Sequence, residues 1–264
     1  SKSRRSSMGF DSDFFICYKR VNRQAGEGME RLGIITGTLT LREKVFLETT
    51  EKKSVENEYG KALVYLGRDV VLVPRHGEAG KYVLPHLINH PANMKALKDL
   101  GVEEVIAVNS TGSLKKNLAP GMIVLPDDFI FLAGGPTVFR EEAVHITPDL
   151  SPKVRLRLVE AAADAGVTVI DKGVYWQTIG PRLETKAEIR MMAGYADVVG
   201  MTMASEAVVA KELGMEYASL CSVDNYAHGV EERELSMEQI LRQSRENAES
   251  VSRVVSKYVE RRGG

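Results

Sequence analysis

Residues that can bind an anion follow two early apolar segments of the sequence. The segment GIITGTLT, residues 33–40, places a glycine between Thr36 and Thr38. Glycine allows a sharp backbone turn close to an anion, and the two hydroxyls can donate hydrogen bonds to it. The segment VPRHG supplies Arg75, whose forked guanidinium suits a tetrahedral anion, followed by His76. These residue types predict a phosphate-binding function at the ends of two strands.

A third such segment, GMTMASEAVVAKELG, places Thr202 just before a predicted helix. We predict Ser205 as the N-cap of this helix, and helix N-termini attract anions. None of the three segments has the spacing of a dinucleotide fingerprint or a P-loop. The sequence therefore favours a phosphate site of another kind and makes a dinucleotide dehydrogenase the weaker hypothesis.

A carboxylate stands alone in the segment TIGPRLETKAEIRMM. Gly180 and Pro181 interrupt the preceding apolar run, and Thr185 with Glu188 forms the capping-box pattern of a helix start. The capping box supplies the acceptors that the helix needs. Glu184 therefore lies outside the helix, either as a carboxylate favoured by the helix dipole or as a residue that binds a ligand.

Short apolar runs alternate with helical patterns through most of the chain, which predicts an α/β fold with a mixed, largely parallel twisted sheet flanked by helices. The predicted strands cover residues 33–36, 62–66, 70–73, 105–109, 122–125, 167–175, 198–199 and 217–223. The predicted helices lie near residues 92–100, 152–165, 185–194 and 205–213, with a last helix after the capping box of Ser236 and Gln239. Ligands of such sheets bind where strands end, which is where the segments above lie.

Composition excludes several classes of function. The 35 basic and 36 acidic residues give a net charge of -1, so there is no basic surface for nucleic acid. No apolar run approaches the roughly 18 residues that a membrane span needs. Cys17 and Cys221 lack metal-ligand spacing and indicate free thiols in a reducing cytoplasm. His86 and His90 can share a helix face, but no carboxylate completes a metal set, so we predict no metal.

The first residues differ from the rest of the chain. Residues 1–28 begin with basic residues and contain an apolar core that is too short for a signal peptide. We interpret them as a leader, a tag or an upstream extension. Residues 29–264 contain no linker-like interruption and are predicted to form a single domain.

The order of motifs resembles a known family. GIITGT, PRHG, PHLINHPANMKAL, NSTGSL, GPRLETKAEIRM, GMTMASEAVVAKELG and SVDNYAHG occur in this order between residues 31 and 259. They are similar to the motifs of the trimeric purine nucleoside phosphorylase and 5′-methylthioadenosine phosphorylase family. The resemblance implies the nucleoside phosphorylase fold, no cofactor, inorganic phosphate as co-substrate, and a homotrimer or a dimer of trimers.

The resemblance also implies roles for individual residues at the phosphate and base sites. The family's phosphate site falls on Thr38, Arg75, His76, Ser110 and Thr202. The base site falls on Glu184, which would read the purine edge, on Asp224, which would bond purine nitrogen 7, and on Asn225. With burial raising its pKa, Asp224 could act as the catalytic general acid while phosphate attacks the sugar.

The ribose site is implied by four residues. Met201 matches the residue under the ribose, while Met237 and Ile240 match positions that are apolar in methylthio-specific enzymes. His145, in a loop with Phe139, matches a segment that enters the neighbouring subunit's site. His228 offers a different contact, with a 5′-hydroxyl. The sugar substituent therefore stays open between a hydroxyl and a methylthio group.

Glu184 favours a 6-oxopurine among the purines. An ionised carboxylate accepts a hydrogen bond from the N1–H of hypoxanthine or guanine and repels the N1 lone pair of adenine. We expect phosphorolysis of inosine, guanosine or 5′-methylthioinosine. The alternatives are a 5′-methylthioadenosine phosphorylase, a nucleosidase that uses water, and a non-catalytic nucleoside-binding module.

Overall fold

A ten-stranded mixed sheet forms the centre of the fold in the computed structural model, which describes residues 31–37, 50–78, 80–232 and 236–262. The strands are β1 (Arg31–Thr36), β2 (Glu51–Asn57), β3 (Gly60–Leu66), β4 (Val70–Pro74), β5 (Val102–Ser113), β6 (Ile123–Val124), β7 (Asp128–Ile130), β8 (Val174–Gln177), β9 (Val198–Gly200) and β10 (Glu216–Tyr226).

Five α-helices of the described residues flank this sheet. They are α1 (His90–Asp99), α2 (Pro152–Asp164), α3 (Lys186–Met192), α4 (Met203–Glu212) and α5 (Met237–Arg262), and a 3₁₀ turn (Pro85–Leu87) precedes α1. Local caps explain where three of them begin. The side chains of Asn89 and Ser151 accept hydrogen bonds from the first turns of α1 and α2, and Thr185 with Glu188 forms the predicted capping box of α3.

The long strand β5 connects the two parts of the sheet. It lies parallel to β1 on one side and to β10 on the other, and its last two residues pair antiparallel with β9. β2, β3 and β4 form antiparallel pairs at one edge, as the sequence allowed. The expectation of a mixed α/β sheet is confirmed.

The helices bury apolar residues on both faces of the sheet. One face packs against α1 and α4, with Met94, Leu97 and Met203 in the core. The other packs against α2 and α5, with Leu158 and Tyr258 among the buried residues. This two-sided burial explains why β1, β4 and β5 read as continuous apolar runs. It also fixes the strand ends on which the candidate site residues lie.

One predicted strand is wrong in most of its length. The run of residues 167–175 is a strand only from Val174 onward, because the amide of Val167 closes the C-cap of α2. This amide bonds to the carbonyl of Ala162 across Gly166, which has a φ of +63°. The arrangement is a Schellman motif, which satisfies a helix carbonyl and turns the chain. Ile170 keeps a single bridge to Val124.

Some expectations concern residues that lie outside the described ranges. These include the segment of residues 1–28, Cys17 and Thr38. Cys221 is a buried free thiol in β10. Among the helices of the described part of the chain, none combines the length and apolar character needed to cross a bilayer.

Candidate active site

Several of the predicted site residues lie at or near strand ends. Arg75 follows β4, Asp224 lies near the end of β10, and both strands run parallel to their neighbours β1 and β5. β9 approaches from the opposite direction, because Val199 pairs with Gly112 in an antiparallel register. Its carboxyl end at Gly200 therefore points back toward the middle of β5, where Ser110 lies.

Arg75 is buried and forms an ion pair with Glu206 of α4. Its Nε atom donates to Oε1 of Glu206 at 2.6 Å, and one terminal nitrogen donates to Oε2 at 3.1 Å. The other terminal nitrogen donates to the carbonyl of Val108 at 2.7 Å. A guanidinium has five N–H donors, so two remain, one on each terminal nitrogen. These two are the donors that Arg75 can offer to an anion.

His76 is a neutral acceptor. Its Nδ1 atom lies 2.8 Å from the carbonyl of Val83, which can only accept, so Nδ1 carries the proton. Burial, followed by the charge of Arg75, lowers the pKa of His76 to about 4. The ring also stacks on Tyr82 with centroids 4.6 Å apart. The free Nε2 atom can therefore accept a hydrogen bond from a protonated phosphate oxygen.

The start of α4 corrects one prediction. Thr202, and not Ser205, is the N-cap residue of this helix. The hydroxyl oxygen of Tyr175 lies 3.3 Å from the amide of Thr202 and 3.5 Å from that of Met203. The side chain of Gln177 accepts from the amide of Ser205 at 3.0 Å. Because internal side chains bind these amides, the helix terminus offers few of them to an anion.

The hydroxyl of Thr202 is positioned by a chain of hydrogen bonds. Asn109 donates from Nδ2 to Oγ1 of Thr202 at 2.8 Å, and the oxygen of the same amide accepts from Ser219 at 2.6 Å. Since Oγ1 of Thr202 accepts here, its own hydrogen is available for donation. The hydroxyl of Thr202 can therefore donate to an anion.

Glu184 is buried, whereas Arg182 and Thr185 on either side of it in the sequence are exposed. Its side chain is only 8% exposed, and Oε1 accepts from the hydroxyl of Thr178 at 2.6 Å. Among the described residues, Oε2 has no such donor. The capping box of α3 uses Glu188, which also pairs with Arg182. As predicted, Glu184 takes no part in capping the helix.

The turn before Glu184 packs closely on Met201. Gly180 has a φ of +72°, and a Cβ atom at this position would lie 2.5 Å from the sulfur of Met201. Only glycine therefore fits here. On the other side, Nδ1 of His228 donates to the carbonyl of Glu184 at 3.2 Å. The structure thus places Met201 and His228 next to the segment that carries Glu184.

Asp224 is the most buried of the predicted site residues. It is 2% exposed; Oδ1 accepts from Nδ2 of Asn247 at 2.7 Å, and Oδ2 has no partner among the described residues. Burial raises the pKa of Asp224, while nearby hydroxyl and amide groups, first the hydroxyl of Ser110, oppose this shift without forming a hydrogen bond to Oδ2. Asp224 and Asn225 line a cavity of about 210 Å³. Burial therefore favours the protonated form of Asp224 more than water would.

The residues predicted to contact the 5′ substituent are not part of the core. Met237 is 57% exposed and Ile240 is half-buried in the first turn of α5. His145 is exposed and Phe139 half-buried in the long loop between β7 and α2. Within the described single chain, no hydrogen bond joins His145 to the other predicted site residues. His86 and His90 lie on separate elements, the 3₁₀ turn and α1.

Comparison with known proteins agrees with this geometry. Residues 31–260 match the family described as the phosphorylase superfamily. The chain belongs to the phosphorylase superfamily. Among curated members, it is 43% identical over 235 residues to a probable 6-oxopurine nucleoside phosphorylase of Archaeoglobus fulgidus, covering 87% of this chain and 96% of the relative.

Two further members of the phosphorylase superfamily are similar to the chain. A probable S-methyl-5′-thioinosine phosphorylase of Methanocaldococcus jannaschii is 39% identical, with 86% of this chain and 91% of the relative covered. A mutant adenosine/methylthioadenosine phosphorylase of Schistosoma mansoni, solved with methylthioadenosine, has a TM-score of 0.78 and 25% identity. That comparison covers 87% of this chain and 90% of the solved one. The family resemblance and the fold are confirmed.

Three residues that orient the site of this phosphorylase were not predicted. Glu206 holds Arg75, Asn247 holds Asp224, and Thr178 holds Glu184. Asn247 had a usable signal, because it interrupts the apolar face of α5 at a position where a buried residue is expected. Glu206 had none in the sequence, since its partner is 131 residues away.

Proposed function

We propose that this phosphorylase cleaves 6-oxopurine nucleosides with inorganic phosphate, yielding the free purine and a ribose 1-phosphate. The observation that carries the proposal is the buried carboxylate of Glu184. One of its oxygens accepts from Thr178 and the other is left to accept. A buried acceptor discriminates strongly, because a ligand without the matching donor leaves it unpaired. The N1–H of hypoxanthine or guanine is such a donor, and adenine lacks it.

The arrangement of the remaining residues supports phosphorolysis. Two N–H groups of Arg75 and the hydroxyl of Thr202 are available to hold phosphate, and Nε2 of His76 can accept from its protonated oxygen. These contacts would hold the nucleophile against the anomeric carbon. Protonated Asp224 would supply the proton that the departing base takes at nitrogen 7. Thr38 and Ser110 complete the proposed phosphate site.

A substrate panel tests this proposal. The purified protein is given inosine, guanosine, 5′-methylthioinosine and 5′-methylthioadenosine, each with and without phosphate, and the released base is measured. We expect phosphate-dependent cleavage of the 6-oxopurine nucleosides. Activity confined to 5′-methylthioadenosine, turnover without phosphate, or binding without turnover would each overturn the proposal.

The proposed sugar site accepts a 5′-methylthio group as well as a hydroxyl. Met237 and Ile240 support this, because they are apolar and incompletely buried at the start of α5. One of the relatives is a probable S-methyl-5′-thioinosine phosphorylase. The comparison of kcat/KM for 5′-methylthioinosine and inosine tests the point, and a strong preference for inosine would contradict it.

We further propose a homotrimer, or a dimer of trimers, that works in purine salvage in the cytoplasm without a cofactor or metal. The loop that carries Phe139 and His145 supports the assembly, because His145 is exposed and makes no hydrogen bond to the other candidate site residues among the described residues. Residues 29–264 would form the catalytic domain. Light scattering on the eluting protein measures the mass, and a monomer would contradict the assembly.

A further inference from the structure

The buried face of α5 is polar where it passes the end of β10. Later in the helix this face carries apolar residues such as Val251 and Val254, but the preceding two turns bury Ser244 and Asn247 instead. Burying an amide in place of an apolar side chain costs free energy unless its hydrogen bonds are made. A reason for the amide must therefore lie in what it contacts.

The side chain of Asn247 makes three hydrogen bonds within the described part of the chain, and two of them join it to the end of β10. Its Nδ2 atom donates to the carbonyl of Val223 at 3.0 Å and to Oδ1 of Asp224 at 2.7 Å. Its Oδ1 atom accepts from Gln243 at 3.1 Å. Because the carbonyl of Val223 can only accept, the orientation of the amide is fixed. Both N–H groups of Asn247 thus face Asp224 and the backbone beside it.

This contact makes the two oxygens of Asp224 unequal. Oδ1 receives a donor and must remain an acceptor, whereas Oδ2 is buried without a partner among the described residues. We infer that Asn247 is a positioning residue that fixes Oδ1 of Asp224 and leaves Oδ2 to carry the proton given to the leaving purine. This inference rests on the proposed phosphorolysis.

The proton transfer balances as follows. The bond between C1′ and N9 breaks with its electron pair moving to the base, and a phosphate oxygen bonds to C1′. The Oδ2–H bond of Asp224 breaks while an N7–H bond forms, so the purine leaves neutral. Asp224 is left as a carboxylate, which Asn247 stabilises through Oδ1 until water returns the proton.

The surroundings of Asp224 make pH a direct readout. The hydrogen-bonding groups near its carboxyl come from β5, β10 and α5: Ser110, Ser222, Ser244 and Asn247. Besides Asp224, the titratable or charged side chains that line the same cavity are Tyr226, His228, Glu231 and Arg242. Removing a donor from the ionised form raises the pKa of a carboxyl. Because the proposed reaction uses protonated Asp224, activity falls as this carboxyl loses its proton. This fall should therefore occur at higher pH when Asn247 is changed.

The test compares wild type with Asn247→Ala, which removes the amide, and with Asn247→Leu, which keeps its approximate size without its donors. We expect kcat/KM for inosine to fall about ten- to a hundredfold. The pH at which activity falls on the alkaline side of the profile should increase by about one pH unit in both variants. Val251→Ala, a buried change in α5 away from Asp224, should lower stability and leave this pH unchanged.

A second substrate separates positioning from a merely structural role. In 7-methylinosine nitrogen 7 is already alkylated, so its base leaves without a proton from Asp224. The Asn247 variants should lose less than about threefold on this substrate. Equal losses on both substrates, or an alkaline fall of activity at an unchanged pH in active variants, would overturn the inference and leave the proposed function intact. A wild-type protein inactive on every nucleoside would overturn both.

Discussion

Arg75 and Glu206 form a buried ion pair that joins the end of β4 to α4, with Nε of the arginine 2.6 Å from Oε1 of the carboxylate. The hydroxyl of Tyr217 donates to Oε2 of the same carboxylate at 2.7 Å. Burial is the largest influence on the pKa of the guanidinium and lowers it, but the charge and hydrogen bonds of Glu206, with smaller contributions from Tyr217 and Tyr175, together raise it. Glu206 therefore stabilises the charged form of Arg75 and fixes which of its N–H groups are left for an anion.

Removing this carboxylate should destabilise the protein. Glu206→Gln leaves the guanidinium of Arg75 buried without an opposite charge, and we expect the free energy of unfolding to fall by about 3 kcal/mol. The KM for phosphate should rise because Arg75 is no longer held in place. Urea denaturation and initial rates measure the two effects. Lys211 lies in the same helix as Glu206 and forms an exposed ion pair with Asp149. Lys211→Ala should lower the free energy of unfolding by less than about 1 kcal/mol. Equal losses in both variants would contradict the prediction.

Base selectivity should depend on the charge of Glu184. In Glu184→Gln the neutral amide accepts more weakly from N1–H and can instead present its NH₂ group to N1 of adenine. We expect kcat/KM for 5′-methylthioinosine to fall about tenfold or more, and the ratio of 5′-methylthioadenosine to 5′-methylthioinosine activity to rise. Glu188→Gln is the matched control, because it keeps a capping-box residue and lies away from the base. A selectivity that changes equally in both variants would argue against Glu184 as the base-reading residue.

The sequence was sufficient for features that depend on local patterns. The capping box of Thr185 and Glu188 is visible within four residues, and it separates Glu184 from the helix. Apolar runs placed β1, β4, β5 and β10 because strands buried on both faces carry few polar residues. The residues predicted to bind an anion also follow such runs directly, and their role stays a prediction.

Features that depend on distant residues could not be predicted. The Ser205 N-cap was wrong because Tyr175 and Gln177, nearly thirty residues earlier, bond to the amides at the start of α4. Nothing in the local sequence reveals these partners. The strand predicted at residues 167–175 is wrong before Val174, where the chain first closes the C-cap of α2 with the amide of Val167. In both cases a tertiary or capping hydrogen bond outweighed the local pattern.

The buried carboxyl of Asp224 should lower the stability of the folded protein at high pH, although the proposed reaction requires it. Burial raises the pKa of Asp224 above its ordinary value of 3.8. Between the ordinary pKa and the raised pKa, the folded state binds more protons than the unfolded state. Stability contributed by this group is therefore lost as pH rises through that window, and the deficit persists above it. We expect Asp224→Asn to be more stable than wild type at pH 8 and similar to it at pH 3.5. Its turnover of inosine should be about ten- to a hundredfold lower. Thermal unfolding at both pH values tests this, and a less stable variant at pH 8 would contradict it.

Acid sensitivity should arise in part from His90, which is buried at the start of α1. Burial lowers its pKa from 6.5 to about 4, so between these values the unfolded chain binds a proton that the folded chain does not. Stability therefore falls as pH drops through this window. We expect His90→Gln to reduce the slope of unfolding free energy against pH by up to about 1.4 kcal/mol per pH unit between pH 4.5 and 6.

His76, whose pKa is also about 4, should contribute a second, similar slope. Combining His76→Gln with His90→Gln should therefore reduce the slope by roughly twice as much. Urea titrations at several pH values measure these slopes, and a wild-type slope in both single variants would show that neither histidine is buried in its neutral form.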